Sequence, residues 1–212
     1  MRELNDEWTF KKIDIWLQEN APKIFELSLN SPATAEELKS FEDYLGCDLP
    51  QDFKDLYRWH NGMNDKDNMG SLFQGMELLS LDNIKTWRSE FEEAPLEHTD
   101  PQVKKDNAFN NKWIKFSHDG GRTGLYLDLD PTELGTVGQI IFVDLDYDVG
   151  FLVAKSMTNL VSVFLNDLNN QLYFLNKDAL DDDQEFLEAD PTIDIVNWND
   201  SERWAYPEFE EL

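Results

Sequence analysis

The chain has 212 residues, with 44 acidic against 18 basic side chains and a formal net charge of −26. A field of that sign repels nucleic acid and anionic membrane and attracts cationic protein surfaces, which sets aside the nucleic-acid-binding and lipid-surface classes. Apolar residues at 41% and aromatics at 13% supply a sizeable core and set the chain apart from a disordered polyanion.

The N-terminus, Met-Arg-Glu-Leu-Asn-Asp-Glu, has no apolar stretch of the signal-peptide kind, and no run approaches the roughly 18 apolar residues of a membrane span. The expected place is the cytoplasm. Residues 8–19 carry Ile13, Trp16 and Leu17 at helical spacing and stop at Asn20-Ala21-Pro22. A short second helix is expected over residues 22–29. Thr34 and Glu37 then spell a capping box, followed by an apolar stripe of Leu38, Phe41 and Leu45, with Gly46 as a left-handed stop. The next helix opens at Pro50, places Phe53, Leu56, Tyr57 and His60 on one face, and ends at Asn61-Gly62.

Residues 64–75 are polar and contain Gly, which predicts an exposed loop. A short strand is expected within residues 73–79. Asp82 reads as the N-cap of a helix carrying Ile84, Trp87 and Phe91, and residues 94–111 read as loop. Beyond Asn111 the period changes to two. Residues 113–116 predict a strand and residues 118–122 a turn. Leu125, Leu127 and Leu129 alternate with Tyr126, Asp128 and Asp130, as a half-buried strand does. Further strands are expected at 138–143 and 150–154, and a helix from about Thr158 with Leu160, Val161, Phe164, Leu165, Leu168 and Leu172 in register. Helices, then consecutive short strands, then a helix predict an α+β fold, an antiparallel-rich mixed sheet with helices packed on one side.

The last 35 residues hold 13 acids against a single base, Arg203. Apolar points recur there (Phe186, Ile193, Ile195, Trp198, Trp204, Tyr206, Phe209), so the segment is expected to dock on the body. The expected organisation is an N-terminal helical segment at 1–30, a domain at 31–175 and an acidic C-terminal extension at 176–212.

Catalytic and metal motifs find little support. The string Asp144-Leu145-Asp146-Tyr147-Asp148 invites a calcium loop, but its sixth and twelfth positions are Val149 and Lys155 instead of Gly and Glu. His60, His98 and His118 are scattered and form no i, i+4 pair. A single cysteine, Cys47, leaves no internal disulfide and no cysteine-only zinc cluster. Neither a nucleophile elbow nor a phosphate loop is present. Carboxylate pairs are too abundant in so acidic a chain to be informative. The one hydrolase reading left rests on His118 beside Asp119. No catalytic residue, cofactor or metal is expected.

Two stretches together resemble a known family. Residues 34–62 run from an acidic helix through Leu-Gly and Leu-Pro into an aromatic helix that ends in Asn-Gly. Residues 125–165 contain Leu-Asp-Leu-Asp-Pro, Gly-Thr-Val-Gly-Gln-Ile-Ile and Val-Ala-Lys-Ser. Order and spacing resemble the Smi/Knr family of the SUKH superfamily, and with the helix at 82–93 the likeness covers most of residues 30–172. The resemblance implies a non-catalytic binding module. Bacterial members neutralise toxins, often nucleases, and fungal members regulate cell-wall assembly.

The expectation drawn from charge and resemblance together is an immunity protein that occludes the basic active site of a cognate toxin domain. The alternative is a cytoplasmic regulatory scaffold of the cell-wall type. The expected partner is a cationic protein, met by Asp119 and Arg122 in one turn, Asp144, Asp146, Tyr147 and Asp148 in the next, and Trp198 and Trp204 in the C-terminal segment. The plain structural alternatives are a solvated turn for the acids and docking of the chain end for the two tryptophans.

Overall fold

The computed structural model describes residues 3–88, 95–105 and 112–205. Helix α1 (Glu3–Asn20) buries Phe10, Ile13 and Leu17. The short helix expected after Pro22 is a π-type turn, Ile24–Ser28. α2 (Ala35–Leu45) begins with the capping box: Thr34 Oγ1 accepts from the Glu37 amide at 3.1 Å and the Glu37 carboxylate accepts from the Thr34 amide at 2.7 Å. It ends at Gly46, which holds φ +70. Pro50 leads into α3 (Gln51–Trp59), which buries Phe53, Leu56, Tyr57 and Trp59. His60 falls just past the helix in extended backbone and does not share that face.

The predicted exposed loop at 64–75 differs in the structure. Asn68, Ser71, Leu72, Phe73 and Gln74 are buried. Polar composition misled here because the buried polar atoms pair with another part of the chain: Asn68 exchanges hydrogen bonds with the Glu185 backbone (2.6 and 2.9 Å) and Ser71 Oγ donates to the Leu187 carbonyl at 2.6 Å. The short strand expected within residues 73–79 is the two-residue β1 (Glu77–Leu78), preceded by a 3₁₀ turn, Phe73–Gly75. The cap of α4 (Leu81–Arg88) is Ser80, whose Oγ accepts from the Asn83 amide at 3.2 Å. Asp82 sits two residues past the cap position and pairs instead with Lys85 at 3.0 Å. Phe91 lies outside the described residues.

The sheet contains β1, β2 (His98–Thr99), β3 (Trp113–His118), β4 (Thr123–Asp128), β5 (Gln139–Asp144) and β6 (Val149–Ala154), in the order β1-β3-β4-β5-β6-β2. β2 runs parallel to β6 and the other neighbours are antiparallel. The fold is therefore α+β with a mixed, mostly antiparallel sheet and helices on one side. Ile114, Phe116, Leu125, Leu127, Ile140, Phe142 and Phe151 face the helices and complete the main core. The other face is not solvated as alternation in β4 predicted. Trp113, Tyr126, Ile141 and Val143 form a second, smaller core with Leu96, Val103 and Leu145. Two of those side chains come from the 95–105 segment, which lies over that face. The Asp128 carboxylate is buried there, accepting from Trp113 Nε1 (2.9 Å), Gln139 Nε2 (2.8 Å) and the Asp130 amide (2.8 Å), and burial raises its pKa despite those bonds.

α5 (Met157–Asn169), capped by Ser156, packs against α1, α3 and β6. The chain then forms a hairpin-like pair, β7 (Tyr173–Leu175) with β8 (Leu187–Ala189), around the short helix α6 (Lys177–Asp181). This C-terminal segment is built into the body. The Glu185 carboxylate accepts from the Lys23 and Ile24 amides (2.7 and 3.4 Å), supplying acceptors to the free N–H groups at the start of the π-type turn. Ile193, Ile195 and Trp198 are buried. Arg203 makes a two-pronged ion pair with Asp167 of α5 (2.5 and 3.0 Å), whose side chain is 2% exposed.

Removing one member of a buried pair strands the other's charge, which costs about 3–5 kcal/mol when both are fully buried. Arg203 is partly solvated, so Arg203→Ala is expected to destabilise by about 2–3 kcal/mol. Urea denaturation of the full chain reads this directly, with Arg203→Lys retaining only part of the loss.

Candidate functional site

The antiparallel register places the β3–β4 and β5–β6 turns at the same end of the sheet, since Thr123 pairs with Asp144. Asp144 organises the second turn. Its Oδ1 accepts from the Asp146 and Tyr147 amides at 2.9 and 3.2 Å, a side-chain-to-backbone turn that short acids favour. Asp148 closes the turn at φ +53, a left-handed conformation that Asp tolerates better than most residues. From the neighbouring turn Arg122 crosses over, with Nε 2.9 Å from Asp146 Oδ1 and an N–H donated to the Leu145 carbonyl at 3.1 Å. Both side chains are more than half exposed, so the pair contributes about 0–1 kcal/mol and is open to exchange with an incoming charge.

Tyr147 projects from this turn and is 60% exposed. Its ring stands perpendicular to that of Trp198 at 5.8 Å. Trp198 itself is buried, edge-on to Phe151 and donating Nε1–H to Asp144 Oδ2 at 3.2 Å. Asp144 and Trp198 therefore face each other inside the fold and present nothing to a partner. Trp204 is elsewhere. It donates to the Ile193 carbonyl at 2.8 Å and lines a cavity beside α5. Of the eight predicted residues, Asp119, Arg122, Asp146, Tyr147 and Asp148 share the sheet end as surface groups.

Beside Asp119 runs a groove of about 180 Å³ lined by Asp65, Met69, Glu77, His118, Asp119 and Phe186, among others. His118 Nδ1 accepts from the Gly120 amide at 2.9 Å, so the ring proton sits on Nε2, 3.4 Å from the Glu77 carboxylate. Composition and spacing gave no hint of Glu77, because only the β1–β3 pairing brings it to His118. Met69, 61% exposed, was hidden within the supposed loop. This end of the sheet thus carries two acidic groups of side chains: Asp65, Glu77 and Asp119 with exposed Met69 along the groove, and Asp146 and Asp148 with exposed Tyr147 on the β5–β6 turn. Among the described residues no three His, Cys, Asp or Glu side chains converge in a way that holds a metal ion.

Behind the groove lies Lys115, 4% exposed, with its ammonium over the rings of Trp87 (5.2 Å) and Tyr126 (5.8 Å). Burial pulls its pKa down to about 8, against a smaller opposing pull from Asp119.

A family model described as SMI1 / KNR4 family (SUKH-1) matches residues 32–163. The chain belongs to this family. Among curated relatives it is similar to the glucan synthesis regulatory protein of Neurospora crassa (26% identical, over 81% of this chain and 40% of that protein). It is also similar to the cell wall biosynthesis/cell cycle regulator smi1 of Schizosaccharomyces pombe (23%, over 96% and 41%) and to the cell wall assembly regulator SMI1 of Saccharomyces cerevisiae (23%, over 85% and 43%). The chain spans about two-fifths of the length of these relatives. Among the described residues no helix is long and apolar enough to cross a membrane.

A lysine whose folded pKa lies below its unfolded value penalises the folded state while charged. The penalty is full below about pH 8 and fades as pH climbs toward the unfolded value near 10.5. Lys115→Met is therefore expected to be more stable than the parent at pH 7, with the difference shrinking as pH rises from 8 to 10. Paired thermal melts across that range check it. A difference that grows with pH contradicts it.

Proposed function

We propose that this chain is a non-catalytic protein-binding module acting as a regulatory scaffold of the fungal cell-wall type, with the acidic end of the sheet as its partner surface. The observation that carries this reading is the extent of the likeness. Relatives named for glucan synthesis and cell-wall regulation align with 81–96% of the chain, beyond the family segment at 32–163. Those names favour the regulatory alternative over the toxin-neutralising role expected from charge and resemblance together.

The surface chemistry suits reversible association. A net charge of −26 draws a cationic partner over long range and speeds encounter. Asp65, Glu77, Asp119, Asp146 and Asp148 offer carboxylates to lysine and arginine. Tyr147 and Met69 supply the desolvated contact that charge pairs alone do not. Arg122 holds Asp146 in place without locking it, so a partner's arginine can take its position.

Crosslinking capture from the source cells, followed by mass spectrometry, tests the reading. The expected catch is a basic protein of the wall-building machinery, reduced when salt is raised from about 50 to about 300 mM. Asp146→Lys with Tyr147→Ala is expected to weaken association at least tenfold while altering stability by less than about 1 kcal/mol, because both side chains are mostly exposed. Capture of a toxin domain would restore the immunity reading, and binding indifferent to salt would remove the electrostatic mechanism.

A further inference from the structure

The groove beside Asp119 has a shaped interior. Its apolar sides, Met69 and Phe186, come from two distant stretches of chain that are bonded together. Asn68 and the Glu185 backbone exchange hydrogen bonds at 2.6 and 2.9 Å, and the Met69 amide donates to Gln184 Oε1 at 2.9 Å. Gly75 and Gly120 also line the groove and, having no side chains, leave its space open.

His118 supplies this interior with a donor. Its side chain is 7% exposed, packed on the Trp87 ring at 4.7 Å and held through Nδ1 by the Gly120 amide. The direction of Nε2–H is therefore fixed. The Glu77 carboxylate, 3.4 Å away, stands beyond the roughly 2.7–3.2 Å of a formed N–H···O bond. Among the described residues Nε2–H completes no other bond. A nearly buried donor left in that state costs free energy, which an acceptor entering the groove recovers.

Glu77, Asp65 and Asp119 supply acceptors. Among the described residues none of these three carboxylates has a lysine or arginine within ion-pair distance, so the groove holds negative charge that the protein itself does not neutralise.

The geometry points to a receptor for a single arginine residue of the partner, its main chain on His118 and Glu77 and its guanidinium between Asp65 and Asp119. This deepens the binding-module reading and rests on it. A donor and an acceptor 3.4 Å apart can exchange bonds with the C=O and N–H of one extended residue, as paired residues do in an antiparallel ladder. The volume of about 180 Å³ lies below the roughly 300–1,000 Å³ of sites for drug-sized molecules and suits one long side chain. Arginine fits better than lysine. Its stem lies along Met69, and its planar, weakly hydrated guanidinium stacks on the Phe186 ring while presenting several N–H groups to the carboxylates. An ammonium gives up more water on entering a groove with apolar sides.

The test titrates four capped tripeptides, Gly-X-Gly with X as Arg, Lys, citrulline or Ala, into the full chain and follows them by NMR. The Arg peptide is expected to move the Gly120 amide and the Met69 methyl, and to shift the His118 Nε2–H proton downfield as its bond forms. Lys binds about fivefold more weakly. Citrulline, which keeps the shape of arginine without its charge, binds about tenfold more weakly, and Ala produces no shift. Asp65→Asn with Asp119→Asn is expected to weaken the Arg peptide about tenfold at a nearly unchanged melting temperature, since both side chains are exposed. Tyr147→Ala, on the separate turn, leaves Arg binding unchanged. Equal affinity for arginine and citrulline, or an Arg peptide that binds the double variant as well as the parent, overturns the receptor. The two readings fail separately. An Arg peptide that does not bind, while a basic partner is still captured, removes the receptor and keeps the binding module. Arg binding with no basic partner captured removes the module and keeps the receptor.

Discussion

The two oxygens of Asp144 do different work, and the candidate surface depends on that division. One oxygen holds the amides of Asp146 and Tyr147 and so fixes the β5–β6 turn. The other receives the indole N–H of Trp198 and so fixes the C-terminal segment beneath that turn. A buried carboxylate costs free energy unless its acceptor sites are filled, and here three donors fill them. The exposed ring of Tyr147 thereby rests on a buried, hydrogen-bonded indole, and its position is set by the body of the protein more than by the turn itself.

The acidity of the chain end divides in a similar way. Glu185, Asp190 and Asp194 turn inward or bind neighbouring amides: Glu185 serves the π-type turn, Asp190 the Thr192 amide and hydroxyl, and Asp194 the Val196 amide. Hydrogen bonding holds the Asp190 pKa below the usual carboxylate range. These carboxylates are structural acceptors. Asp181 and Asp182, by contrast, are exposed, and Asp183 reaches the ammonium of Lys23. Counting charge along a sequence cannot separate the two kinds, because an acid used as a cap and an acid facing water look alike until the donors are known.

What was legible in the sequence was local. The Thr34–Glu37 capping box, the Gly46 stop, the Pro50 start and the alternation through residues 125–130 all depend on neighbours within a few positions, and each element formed. What was illegible was made of distant pairs. Asn68 reads as loop because its partners are at Glu185, and β4 reads as half-buried because its cover, Leu96 and Val103, comes from a stretch with no periodicity. Within the candidate surface, the turn residues were found by their chemistry. Glu77 needed the β1–β3 register to be seen beside His118, and Trp198 needed its burial to be seen as an internal support.

The hydrogen bonds that seat the C-terminal segment join residues 117 and 162 positions apart. Hairpins and capped helices close short loops and form early, whereas contacts of such separation wait until both partners have been made. During synthesis the first 172 residues leave the ribosome with Asn68 lacking its Glu185 partner, one Asp144 oxygen lacking the Trp198 indole and the Asp167 carboxylate lacking Arg203. The native packing of that body is thus completed only once the β7–β8 pair has emerged. Until then the half-finished fold exposes the apolar seam that Leu187, Ile195 and Trp198 later cover, a surface for chaperones to hold.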